Sequence, residues 1–159
     1  MELNGIPLHP LVVHAVVVLT PLAGVLAVVY GVVPRWRWWS RWPLLVSAVG
    51  GAVATYVSSL TGNDLKDRLG LRGNLIESHE TWAGRLQFGM WVLAAAVVVA
   101  LVVLPVRNRI EGHTDKAARV GVLSVPLGVV LTVAGVLVMF LVFKTGDAGA
   151  QLVWRGTPG

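Results

Sequence analysis

The sequence predicts an all-α integral membrane protein, a four-helix bundle with its N-terminus, central loop and C-terminus on the non-cytoplasmic side. Three observations lead there. Hydrophobic residues make up 55% of the 159-residue chain and the mean hydropathy is +0.73, well beyond what a soluble core requires. Apolar runs able to cross a hydrocarbon layer of about 30 Å recur along the chain. The basic residues lie in the short stretches between those runs, which reads as topology and not as one nucleic-acid-binding patch.

Each element follows in order, within a single transmembrane domain over residues 1–159. The first run, about 9–33, carries no Lys, Arg, Asp or Glu. A cleavable signal peptide would want basic residues ahead of it, and the only charged side chain before His9 is Glu2. The second helix is expected over about 43–60, with Pro43 in its first turn, where a missing N–H costs nothing. The third is expected over about 75–104, with Asn74 and Glu77 resembling an N-cap pair and Pro105 ending it. The fourth is expected over about 117–143. Between them lie two cytoplasmic loops, 34–42 and 105–116, and an outer loop, 61–74.

Arg35, Arg37 and Arg41 flank the first connection, and Arg107, Arg109, Lys116 and Arg119 the last. Lys66, Arg68, Arg72, Lys144 and Arg155 lie on the opposite side, and the positive-inside rule therefore places the N-terminus outside. Trp36, Trp38, Trp39 and Trp42 suit an interfacial anchor. Arg outnumbers Lys ten to three, a composition that fits a high-G+C bacterium, with the bacterial cytoplasmic (inner) membrane as location. Gly121, Gly128 and Gly135 recur every seven residues, a smooth stripe for a close helix contact within the chain or in a homodimer. Pro21 and Pro126 are expected to kink their helices or to free a carbonyl.

Cysteine is absent, which excludes disulfides, thiolate metal sites, iron–sulfur clusters and a Cys nucleophile. His79-Glu80-Thr81-Trp82-Ala83 begins like a zinc-protease motif but lacks the second histidine. No phosphate-binding glycine loop or Ser–His–Asp pattern is present, so an enzyme is not the expectation. What apolar packing leaves unexplained is His9, His14, His79, Glu80, Arg85, Gln87 and Asp147, all toward the outer side of the predicted topology. His14 lies about one and a half turns into an apolar helix, where a polar ring facing lipid is costly, so it is expected to face the bundle. His113 lies in the second cytoplasmic loop and is expected to be solvated.

Two ligand chemistries fit these residue types. A haem b would use His14 and His79, with Arg85 near a propionate. A divalent metal ion would use His9, His14, His79 and Asp147. Structural histidines that only tie helix ends together are the alternative.

The segment from Leu8 through His9, Pro10 and Leu11 to His14, the Thr61-Gly62 pair, His79, and the ending from Thr145-Gly146-Asp147 to Gln151-Leu152-Val153-Trp154 resemble a bacterial family of four-helix membrane proteins, DUF2231. The resemblance runs over essentially the whole chain and implies the bundle, without an established activity. Some members of that family carry the domain joined to a Rieske iron–sulfur domain, which implies a membrane electron-transfer module, with respiratory or other membrane-complex subunits as partners. In others a histidine stands where this chain has Asp147. A carboxylate replaces imidazole poorly on haem iron but is a normal ligand for a harder metal, so a four-histidine site is not intact here. The expectation is therefore a redox, haem-binding or metal-binding accessory protein. The alternative is a cofactor-free structural subunit of a larger membrane complex.

Overall fold

A computed structural model describes residues 2–3, 6–104 and 115–156. His113, Pro105, Arg107 and Arg109 lie outside the described residues, as do the side-chain surroundings of Lys116, Arg119 and Gly121. The chain opens with a minimal antiparallel pairing of β1 (Glu2–Leu3) with β2 (Ile6–Pro7), Glu2 opposite Pro7 and Leu3 opposite Ile6. Four long helices follow: α1 (Leu8–Val32), α2 (Arg37–Leu69), α3 (Asn74–Val103) and α4 (Asp115–Gly156). All four are long and apolar enough to cross a membrane.

α1 tolerates Pro10 because the first turn of a helix has free N–H groups. It stops at Val32 because Val33 precedes Pro34 and is driven out of helical geometry. A 3-10 turn, Pro34–Trp36, reverses the chain and leads directly into α2. At its far end α2 closes in a Schellman motif. Gly70 takes a left-handed φ of 61°, its N–H reaches Asp67 O at 3.4 Å, and Leu71 N–H reaches Lys66 O at 3.1 Å. The cap of α3 is Gly73, at φ 125°, with no side-chain capping bond. Asn74 is thus the first helical residue and not the cap. α1 and α4 run unbroken through Pro21 and Pro126.

Two helices outrun their apolar stretches. α2 has 33 residues and α4 has 42, roughly 50 and 63 Å at the helical rise, against about 30 Å of hydrocarbon. The expected outer loop 61–74 shrinks to Gly70–Gly73, and α4 continues past Phe143 to Gly156. Packing explains the extensions. Thr61 is buried against His9, and Thr145 and Gly149 meet His79 of α3. The first connection is likewise shorter than 34–42, because Arg37 is 5% exposed and donates Nε–H to Tyr30 O at 3.0 Å. That bond ties the start of α2 to the end of α1.

The helices form a ring in which α1 packs on α2 and α4, and α3 packs on α2 and α4. Tyr30, Leu44, Leu86, Met90, Leu93, Val97, Leu131 and Val138 fill the interior, together with small residues such as Ala23, Ala27, Ala48, Ala52 and Ala100. Branched aliphatics such as Val18, Val46, Val102 and Val125 face outward. Lipid solvates that outer surface as well as the interior solvates its own, so the helices associate through close packing of small residues and not by a hydrophobic drive between them.

The α1–α4 contact shows this directly. A Cβ built on Gly31 would stand 2.5 Å from Gly128 O, and one on Gly128 would stand 2.8 Å from Gly31 O. Seven residues along each helix, a Cβ on Gly24 would meet Gly135 O at 2.9 Å and one on Gly135 would meet Gly24 O at 2.6 Å. The glycine stripe of α4 is therefore occupied by α1 of the same chain at Gly128 and Gly135. That corrects the homodimer expectation for these two positions, since a second copy has no access to them.

Candidate functional site

An even number of crossings brings both termini and the α2–α3 turn to one end of the bundle, hereafter the terminal end. The candidate residues lie toward it, but on different faces.

His9 sits in the first turn of α1 and leans on α2. Its Nδ1 is 3.0 Å from Ser58 O and 3.3 Å from Thr61 Oγ1. The ring fills the space beside Gly62, where a Cβ would come within 3.0 Å of His9 Cε1. His79 does the same between α3 and α4. Its Nδ1 is 3.2 Å from Thr145 O, and its ring lies over Gly149, whose Cβ would be 3.2 Å from Cε1. Thr61-Gly62 and Thr145-Gly146 thus belong to matching joints, each with an imidazole packed beside a glycine of the neighbouring helix.

His14 departs from expectation. It is exposed on the outward face of α1, and its Nδ1 donates to Pro10 O one turn earlier, at 2.6 Å. The expectation that it faces the bundle is corrected. Pro10 O, made accessible at the start of the helix, satisfies one ring nitrogen locally and lets the side chain lie along the outer surface. In all three imidazoles Nδ1 faces a carbonyl that can only accept. In the neutral ring Nδ1 therefore carries the proton, and Nε2 keeps its lone pair.

Arg85 and Asp147 also have local partners. The Arg85 guanidinium lies over the Trp82 ring, 4.7 Å from its centroid, and Lys144 Nζ lies 5.4 Å from the same centroid. Trp82 meets Phe140 edge to face at 6.3 Å. Asp147 is exposed and accepts from Gln151 Nε2 at 3.0 Å. Glu80 pairs with Lys66 at 2.6 Å, and Gln87 accepts from Ser59 Oγ at 2.8 Å, so these two residues join α3 to α2.

The structure consequently does not gather His9, His14, His79 and Asp147. Among the described residues no three His, Asp or Glu side chains come together closely enough to hold a metal ion. A haem held between His14 and His79 requires both Nε2 atoms to enter one cavity. His14 faces outward from α1, and His79 lies in the α3–α4 seam on the diagonally opposite helix. That pair does not fit a bis-imidazole haem.

Two surface grooves lie at the opposite end, without a histidine in either. One, about 280 Å³, runs between α2 and α3 past Arg41, Trp42, Leu45 and Val98. The other, about 400 Å³, runs between α1 and α4 past Gly31, Arg37, Ser124 and Thr132. The tryptophans expected to anchor the chain at an interface gather at this end. Trp36, Trp38, Trp39 and Trp42 are exposed, and Arg35 and Arg41 lie over the rings of Trp36 and Trp42.

Sequence reasoning missed Lys144 and Trp82 as partners of Arg85 and took Arg37 for a loop cation. The first omission had a signal, since Trp82 and Arg85 are one helical turn apart and Lys144 ends an apolar run. No curated protein and no solved structure matches the chain. The model of the DUF2231 family, described as predicted membrane proteins, matches residues 5–158, and the chain belongs to that family.

Proposed function

We propose that the protein is a structural accessory subunit of a larger membrane assembly, without a cofactor of its own. In this reading it sits in the cytoplasmic membrane of a bacterium with the terminal end outside. The observation that supports it is how the histidines are used. His9 and His79 each commit Nδ1–H to a carbonyl of a neighbouring helix and fill the space beside a glycine, which is the work of a joint. His14 instead lies among the exposed apolar residues Leu11, Val17 and Val18 with Nε2 free to accept. A polar ring at such a position is costly in lipid and is relieved by a donor on another membrane chain.

The test is sizing and spectroscopy on protein extracted in mild detergent from its own membranes. The expected particle is larger than a 17.0 kDa chain in its micelle, His14→Leu separates the chain from it, and the fold is unchanged. A stoichiometric b-type spectrum after haem-replete expression, or a particle of one chain only, would overturn the proposal.

One observation favours a second reading. A histidine that donates Nδ1–H to a carbonyl presents Nε2 as a ready metal ligand, and His9 and His79 both do so. Water or a partner side chain would complete the coordination of a borderline metal such as zinc. Zinc titration of the purified protein that is abolished by His79→Ala would support this reading over the first. Unchanged binding in that variant would remove it.

A further inference from the structure

We infer that the α3–α4 seam at the terminal end binds the phosphate of an anionic phospholipid through Arg85 and Lys144, the two cations that pack on Trp82. Two cations from different helices converge on one indole, 4.7 and 5.4 Å from its centroid. They therefore stand within about 10 Å of each other, and like charges so placed repel wherever lipid lowers the local dielectric. Among the described residues neither cation has a carboxylate partner. Glu80, five residues before Arg85, is held by Lys66, and Asp147, one turn from Lys144, is turned to Gln151.

The ring cannot simply be displaced to relieve the pair. Its edge contact with Phe140 fixes Trp82 in the seam. Arg85 is exposed and Lys144 half-buried, so both charged ends remain open to an anion arriving from outside the bundle.

Position selects the source of that anion. Lys144 follows the apolar stretch of α4, and Arg85 precedes that of α3, so both cations stand where hydrocarbon gives way to headgroups. A guanidinium matches two phosphate oxygens at once, while an ammonium adds a point charge from the neighbouring helix. Trp82 is suited to the same layer. The exposed apolar surface of the same two helices, including Val136, Leu137 and Phe140 on α4 and Phe88 on α3, offers a bed for the acyl chains. A phospholipid with net negative charge is favoured over a zwitterionic one, because choline would return a positive charge to the seam.

The experiment compares the full chain in phosphatidylcholine nanodiscs with and without phosphatidylglycerol, using lipid retention by native mass spectrometry and the thermal midpoint. Two interfacial cations correspond to a preference of roughly thirtyfold for the anionic lipid. The expected result is one tightly retained phosphatidylglycerol and a raised midpoint, both lost in the Arg85→Gln/Lys144→Gln double variant. That variant's midpoint in pure phosphatidylcholine reports its fold, and Arg68→Gln serves as the control for loss of a cation elsewhere. Equal retention of the two lipids overturns the proposal, as does a phosphatidylglycerol effect that survives the double variant or is lost equally in the control. Glycerol 3-phosphate added to phosphatidylcholine discs separates a soluble phosphate ester from a lipid. An equal midpoint shift with that ester overturns the lipid assignment.

Discussion

A methyl group added at Gly31 would stand 2.5 Å from the carbonyl oxygen of Gly128 and 2.8 Å from Oγ1 of Thr132. Neither neighbour can yield by a rotamer change alone. The carbonyl is backbone, and the threonine hydroxyl is tied to that same carbonyl at 2.8 Å. Gly31→Ala therefore forces α1 away from α4 by roughly 1 Å, to recover an ordinary contact. That displacement opens the second crossing at Gly24 and Gly135, seven residues further along. Overpacking of a tight contact costs about 1–3 kcal/mol.

The comparison that isolates this cost is Gly84→Ala. That position lies in α3 with nothing within 4 Å of the added carbon, so the substitution should gain about 0.5–1 kcal/mol from helix propensity. Chemical or thermal unfolding in a fixed detergent should thus separate the two alanine variants by about 1.5–4 kcal/mol. Gly128→Ala should fall with Gly31→Ala, because it meets the same crossing from the other side. Equal stability of Gly31→Ala and Gly84→Ala would refute the close α1–α4 packing, and with it the claim that the α4 stripe is used within the chain.

Four further outcomes are expected. Gly73→Ala should cost about 1–3 kcal/mol, because φ 125° is nearly closed to residues with a Cβ, whereas Gly70→Asn at φ 61° should cost only a few tenths; the same unfolding assay reads both. Glu80→Gln should lower stability by no more than about 1 kcal/mol and only at low salt, since Lys66 and Glu80 are 35% and 38% exposed and such pairs are screened. His9→Ala and His79→Ala should each lose about 1 kcal/mol through a broken inter-helix bond, while His14→Leu leaves the unfolding midpoint of the isolated chain unchanged. The chain has no cysteine, so Arg72→Cys in the exposed α2–α3 turn introduces one thiol; a membrane-impermeant maleimide should label it in intact spheroplasts, and labelling only after lysis would reverse the proposed orientation.

Hydropathy found the four helices but not their ends, and the reason is physical. Apolar length reports where a helix meets lipid, whereas a helix stops where its backbone loses partners or its packing fails. α2 runs on to Leu69 because Thr61 is covered by His9 and Lys66 reaches Glu80, and α4 runs on because His79 covers Gly149. Those are contacts between residues far apart in the chain, and no local window contains them. The polar residues were correctly placed toward one end. Their grouping into one site did not follow, because sharing a level in the membrane does not mean sharing a face.

The face of α1 was nevertheless legible, by a different rule from the one that works in water. A helix between lipid and a bundle interior is apolar all round, so an apolar stripe marks nothing. Small residues mark the inner face instead, because only there must backbones approach closely. Ala23, Gly24, Ala27 and Gly31 define that face in α1, and Tyr30 and Thr20 share it. Continued toward the N-terminus at steps of three and four residues, the stripe passes through Val16, then Val12 and Val13, and reaches His9. His14 lies two residues from Val16, about 200° around the helix. The same stripe that turns His9 toward α2 therefore turns His14 to the outside. Two histidines five residues apart, which look like one constellation in the sequence, are committed by helical geometry to different neighbours.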